Sequence, residues 1–104
     1  GDAAEKYQAT ITVERHEGKT PDAVAAAIKE SASEAANEEK FVEQDRKNIR
    51  IDFAVVEEGV NIRRYVRLVG TDAATFELRA DVLGDLAESY SEKIENLIAS
   101  FEVK

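Results

Sequence analysis

Cysteine, methionine and tryptophan are absent from these 104 residues, and proline and histidine occur once each, as Pro21 and His16. Without cysteine there is no disulfide framework, no thiol nucleophile and no thiolate metal site, although the compartment stays open because many exported proteins also lack disulfides. No apolar run approaches the ~20 residues that a membrane helix needs, so no direct membrane insertion of this segment is expected. Nor do these residues contain a signal peptide. Positive charge is scarce as well: 14 Lys and Arg stand against 22 Asp and Glu, a net charge of −8. That balance argues against nucleic-acid binding, which needs a basic surface to displace counterions, and against adhesion to an anionic membrane. It leaves a basic protein partner open. Phosphate loop, nucleophile elbow, zinc spacing and calcium loop are all missing. His16 has Glu14 and Glu17 beside it but no second histidine, so it reads as a solvated turn residue, and neither a metal nor a cofactor is expected. Nothing places two carboxylates in an apolar cleft, and the chain does not read as an enzyme.

What is present is a hydrophobic fraction of 43% with 35% charged residues, which suits one globular domain with a modest core. The organising stretch runs from Ile49 to Val82 and reads as three antiparallel strands over 49–57, 60–69 and 75–82. Ile49, Ile51, Phe53 and Val55 alternate with Arg50, Asp52, Ala54 and Val56, the period of a half-buried strand. Glu58-Gly59 supplies a two-residue turn, and Gly70-Thr71-Asp72-Ala73-Ala74 a longer loop. The tight turn sets Val55 against Ile62, Phe53 against Arg64, Ile51 against Val66 and Ile49 against Leu68. A five-residue second loop keeps apolar residues together, with Leu68 against Phe76, Val66 against Leu78, Arg64 against Ala80 and Ile62 against Val82. The opposite face then pairs Arg67 with Glu77 and Arg63 with Asp81, and complementary charges across strands support that register.

Before this ladder, Tyr7, Ala9, Ile11 and Val13 predict a strand over 6–15, turned by His16-Glu17-Gly18-Lys19. Thr20-Pro21-Asp22 opens a helix with a capping threonine, a proline at the first position and an acid at the positive end. Its stripe of Val24, Ile28, Ala32 and Ala35 carries it to Ala36 or Glu39, and Phe41-Val42 begins an extended lead into the ladder, with room for a short strand. Beyond the ladder, Asp85-Leu86-Ala87-Glu88 has the form of a capping box. Leu86, Tyr90, Ile94, Leu97, Ile98 and Phe101 give a second helix over about 85–99. The fold class is therefore α+β: an antiparallel sheet of four to five strands with two helices packed on one face (β-α-β-β-β-α). Residues 1–5 read as a disordered tether or remnant, and 6–104 as a single domain. The expected core is Ile51, Phe53, Val66, Leu68, Phe76 and Leu78 with Ile94, Leu97 and Ile98.

Two features carry the functional expectations. Arg64 interrupts the apolar face between Phe53 and Ala80 and needs a carboxylate or helix-end carbonyl, or else marks a small-ligand pocket. The outer ladder of Arg50, Asp52, Arg63, Tyr65, Arg67, Glu77 and Arg79 is the candidate partner-binding face, because exposed tyrosine and arginine are enriched at interfaces. An antiparallel sheet with one face in water gives the bland competitor, a solvated surface.

Three stretches carry a family resemblance: Lys19-Thr20-Pro21-Asp22-Ala23-Val24 opening the first helix, residues 51–58 followed by Gly59, and Tyr90…Ile94…Leu97-Ile98-Ala99-Ser100-Phe101-Glu102-Val103 at the end. Together with the element order, they make the chain similar to DcrB-type bacterial lipoproteins and the wider PsbP-like superfamily, over residues 7–103. Members usually begin with an extra strand pair around a Pro-Gly-Trp-like turn, which this chain lacks. The resemblance implies an α/β sandwich, an exported life in the periplasm or tethered to the cell envelope, and no shared catalytic residues. The expected function is a non-enzymatic binding or assembly-stabilising domain, meeting a protein partner or a second copy through the outer sheet face. Two alternatives stand beside it: an acidic immunity or inhibitor protein for a basic toxin, and a small-ligand domain around Arg64. The alanine-rich first helix would also suit an idealised, engineered sequence.

Overall fold

The computed structural model describes residues 9–103. Strands β1 (Ala9–Glu17), β2 (Asn37–Glu43), β3 (Arg46–Glu57), β4 (Val60–Gly70) and β5 (Ala74–Leu83) form one antiparallel sheet in the order β1-β5-β4-β3-β2. Helix α1 (Pro21–Lys29) follows β1, and helix α2 (Ala87–Ser100) ends the domain after a 3-10 turn at Gly84–Leu86. This is the expected α+β class with five strands. The tether at 1–5 and the first three positions of the predicted first strand lie outside the described residues.

The central hairpin has the register that its alternation requires, with Val55 opposite Ile62, Phe53 opposite Arg64, Ile51 opposite Val66 and Ile49 opposite Leu68. Its turn uses Glu58 at φ 51° and Gly59 at φ 78°, the left-handed pair that matches the twist of two antiparallel strands. A second turn of that kind, Gln44 at φ 54° and Asp45 at φ 60°, joins β2 to β3. The lead at Phe41-Val42 is thus a full edge strand of seven residues.

Helix α1 starts as its sequence dictates: Pro21 is its first residue, and the Thr20 hydroxyl accepts a hydrogen bond from the Ala23 N–H at 3.2 Å. It ends at Lys29, well short of the predicted Ala36. The Ser31 N–H and hydroxyl both donate back to the Ile28 carbonyl, and the Ser33 N–H donates to Ala54 O at 2.9 Å. Serine competes with helical hydrogen bonding in this way, and the chain turns toward β3. Ala32 and Ala36 still pack on the core, from irregular backbone. At α2 the predicted capping box is not made, because Asp85 lies in the 3-10 turn and no side chain caps the helix.

The helices do not share a face. Val24 and Ala25 of α1 bury Ile49, Ile51, Phe53, Val55, Val66 and Leu68 on one side of the sheet. Ile94 and Ile98 of α2 join Val82, with Tyr65, Leu86 and Tyr90 around them. Tyr65 alternates with Arg64 and Val66 along β4, so α2 lies on the other side. β5 follows the same logic. Thr71 N–H donates to Ala74 O at 2.8 Å, leaving Asp72-Ala73 as a tight turn where a five-residue loop was predicted. The pairing shifts by one residue: Leu68 faces Glu77, Arg64 faces Asp81, and Tyr65 faces Ala80. Leu78, Ala80 and Val82 therefore point to the α2 side, where all three are buried. Of the expected core, Phe76 and Leu97 are only half-buried.

Close approach holds α1 to the sheet. A Cβ on Gly70 would lie 2.5 Å from Pro21 Cγ, so only glycine lets the helix start sit there. The Thr75 hydroxyl donates to Lys19 O at 2.6 Å, and Gly18 N–H donates to Ala73 O at 2.9 Å, fixing the segment that leads into α1.

Candidate functional site

The seven residues expected on one open face divide between two sides of the sheet. Arg50, Asp52, Arg63, Tyr65 and Arg67 lie on the α2 side, whereas Glu77 and Arg79 lie on the α1 side. The pairs Arg67–Glu77 and Arg63–Asp81 are not formed, because the shift of β5 turns Glu77 and Asp81 away.

On the α2 side the charges clasp the helix. Arg50 bridges Asp52 (3.1 Å to each carboxylate oxygen) and Glu95 of α2 (2.7 Å from Nη1). The hydrogen bond from Arg50 holds the Glu95 carboxyl below the usual carboxylate range. Arg67, its side chain only 5% exposed, donates to Glu43 at 2.5 Å, to Asn48 Oδ1 at 3.1 and 3.3 Å, and to the Ile98 carbonyl near the end of α2. Its guanidinium lies 5.7 Å from the Phe41 ring centre. Arg46 donates to the Val103 carbonyl beyond the helix. Arg63 stacks on Tyr65, whose ring borders the α2 core. A cation at the negative end of a helix is favoured by the helix dipole as well as by the hydrogen bond. These side chains work inward, and most of this surface is covered.

On the other side α1 covers β3 and β4 but leaves β1 and β5 with a polar strip. Here Arg64 lies over Phe53 and donates to Asp81 (2.7 and 3.1 Å) and to Glu57 (2.8 Å). Those carboxylates, Asp81 foremost, push its pKa up against the effect of burial. Its charge is already matched, and the open groove beside it, about 680 Å³, is lined by Thr10, Glu57, Glu58, Val60, Ile62 and Asp81. Three acids beside a compensated arginine do not make an anion pocket. Further along the strip, the half-buried His16 is an internal residue of β1, not the solvated turn residue predicted. Its Nε2 lies 2.7 Å from Glu77 Oε1 and 3.8 Å from Glu14 Oε2. Sequence reasoning missed this grouping, because the predicted register put Glu77 on the far face and ended β1 two residues too early, at Arg15 and not Glu17.

The sheet edges differ in character. β2 carries Glu38, Glu39, Lys40 and Glu43, charges that discourage further strand addition. β1 carries Thr10, Ile11, Thr12 and Val13, and α2, lying over β4 and β5, leaves Ile11 and Val13 56% and 58% exposed. Among the described residues no strand pairs with the outer edge of β1.

No protein-family model and no curated protein matches the chain. Among solved structures it is similar to PA94 of Pseudomonas aeruginosa, a protein of unknown function, with a TM-score of 0.78 at 11% sequence identity. The match covers 92% of this chain and 73% of PA94. At that identity the likeness shows the fold: five antiparallel strands with two helices, an α+β domain shared over nearly the whole chain.

Proposed function

We propose that this is a non-enzymatic protein-binding domain that takes up an extended segment of a basic partner along the outer edge of β1. One observation carries the reading: an edge strand that exposes Ile11 and Val13 beside an outer backbone edge with which no strand pairs among the described residues. Strand addition draws affinity from main-chain hydrogen bonds and specificity from alternate side chains, and a row of exposed apolar side chains suits it. The net charge of −8 selects a cationic partner and disfavours acidic ones. An inhibitor of a basic toxin is a special case of this reading. The cell-envelope compartment implied by the DcrB/PsbP resemblance belongs to the same proposal. The docking strip replaces the outer ladder, since α2 lies over the side that carries Arg50, Asp52, Arg63, Tyr65 and Arg67, and Glu77 and Arg79 lie on the other.

Selection from a random displayed peptide library tests it. Binders should alternate apolar residues with Lys or Arg, weaken as salt rises, and shift the amide resonances of 9–15 ahead of all others. Ile11→Lys with Val13→Lys should weaken them at least roughly tenfold, since lysine on an edge strand opposes strand addition. Peptides that bind this variant as tightly as the parent, or that perturb β2 instead, would overturn the assignment, as would sedimentation showing β1 closed by a second copy.

A further inference from the structure

We propose that Glu14, His16 and Glu77 form a binding site for a divalent transition metal of the zinc type. Each offers one ligand atom, and the three atoms lie within 4.8 Å of one another. The backbone fixes this arrangement. Glu14 and His16 are two apart on β1 and share a face, and Glu77 pairs directly with Glu14 across the ladder. Ligands carried on paired strands are held more firmly than ligands on loops.

The second observation is the state of Glu77. Its side chain is 6% exposed, and outside this trio it has no polar partner among the described residues. A buried carboxylate needs a compensating positive charge, and the nearest arginine on its own strand, Arg79, leans toward Asp81 instead. Imidazole alone supplies that charge only when protonated. A divalent cation supplies it by taking the place of the proton between His16 Nε2 and Glu77 Oε1, which are now at hydrogen-bond distance. Tetrahedral coordination with bonds of about 2.0–2.2 Å requires the ligand atoms to open slightly at that pair and to close at Glu14. Glu14, 52% exposed, is free to make the move. The open side leaves room for water to complete the shell.

The donor set narrows the ion. One imidazole nitrogen with two carboxylate oxygens suits zinc and its first-row neighbours, whereas calcium takes six to eight oxygens and magnesium keeps most of its water. The site ties edge strand β1 to β5, on the side opposite Ile11 and Val13. Metal binding and partner docking can therefore fail independently.

Calorimetric titration of the chelator-treated full chain with zinc chloride tests the proposal, with calcium and magnesium chloride as comparisons. One zinc ion per chain should bind, and cobalt(II) should give the visible absorption of a four-coordinate site. His16→Asn and Glu14→Gln, both on partly exposed positions and checked for folding by circular dichroism, should each weaken zinc at least roughly tenfold, since even the loss of an outer-shell partner costs 10–100-fold. Glu17→Gln, beside His16 in sequence but on the other face, should bind like the parent. Unchanged affinity in His16→Asn, equal weakening in Glu17→Gln, or no zinc binding at all would overturn the site.

Discussion

Replacing Arg67 with alanine distinguishes a covered α2 side from an open one. If this were a solvated sheet face, losing one arginine would change stability by a few tenths of a kcal/mol. The structure demands more. Arg67 satisfies the Ile98 carbonyl and the Asn48 side-chain oxygen, and Asn48 itself is only 2% exposed. The Asn48 oxygen, left unpaired in a buried site, costs about 1–3 kcal/mol, and the Ile98 carbonyl, which keeps the 3.4 Å bond from the Phe101 N–H, loses its bond to a charged donor, about 1.5–3 kcal/mol. Glu43, with its side chain 46% exposed, regains water and adds little. The sum spans ~2.5–6 kcal/mol, and water entering the vacated space moves the expected value to roughly 3 kcal/mol. A domain of this size has about 5–15 kcal/mol in total, and each kcal/mol shifts Tm by about 4–8 °C. Arg67→Ala should therefore lower Tm by roughly 12–24 °C. Urea unfolding followed by far-UV circular dichroism gives the free-energy change, and the slope shows whether α2 still unfolds with the sheet. Arg67→Lys should recover only part of the loss, because a single ammonium cannot reach all three acceptors as the guanidinium fork does. A loss below about 0.5 kcal/mol for Arg67→Ala would mean that α2 does not lie over β4.

Three other perturbations follow from the same contacts. Gly70→Ala should destabilise by about 1–3 kcal/mol, because its Cβ would press on the Pro21 ring; if denaturant melts show no loss, α1 does not start above β4. Ile98→Ala, at a 5% exposed position, should cost about 2–5 kcal/mol, and Leu97→Ala, half-buried, clearly less; the reverse order in urea would mean that α2 is rotated from this orientation. The third concerns acid. Glu95 titrates below its ordinary value of 4.5 because of Arg50, so the stability it contributes is present above that value and is lost as pH falls through the lowered folded pKa. NMR titration of the Glu95 carboxyl should show a midpoint below 4.5 that returns toward it in Arg50→Gln; identical midpoints would remove the clasp.

The legible parts of the fold were those decided within one strand or one turn. The β3 alternation and Glu58-Gly59 set one register, and Thr20-Pro21-Asp22 set one helix start, because each rests on local sterics and local hydrogen bonds. What could not be read locally was the number of sheet faces carrying a helix. With both helices on one side, every apolar residue of β3, β4 and β5 must point the same way, and the second loop has to be five residues long to arrange that. With a helix on each side, the apolar residues of β5 serve α2 while those of β3 serve α1. The tighter Thr71–Ala74 turn then gives the right result. The sequence did hold a hint. β4 presents apolar side chains in both phases, Val66 and Leu68 against Tyr65 and Val69, the pattern of a strand covered on both faces.

The same point explains why the charged residues misled. Arginines and acids that alternate with apolar residues read as the wet side of a sheet, and cross-strand complementarity strengthens that reading. Complementarity does not identify a register by itself, since this chain has acids on both sides of Arg64 and Arg67. In one register Arg67 meets Glu77; in the register adopted Arg64 meets Asp81, and Arg67 reaches Asn48 and Glu43. The two differ in how much apolar surface a second helix can cover, a term that outweighs a few exposed ion pairs. The grouping of Glu14, His16 and Glu77 depends on two registers in series, β4 with β5 and β5 with β1. A one-residue error in the first turns Glu77 to the far face and hides the site, although every residue in it is plain in the sequence.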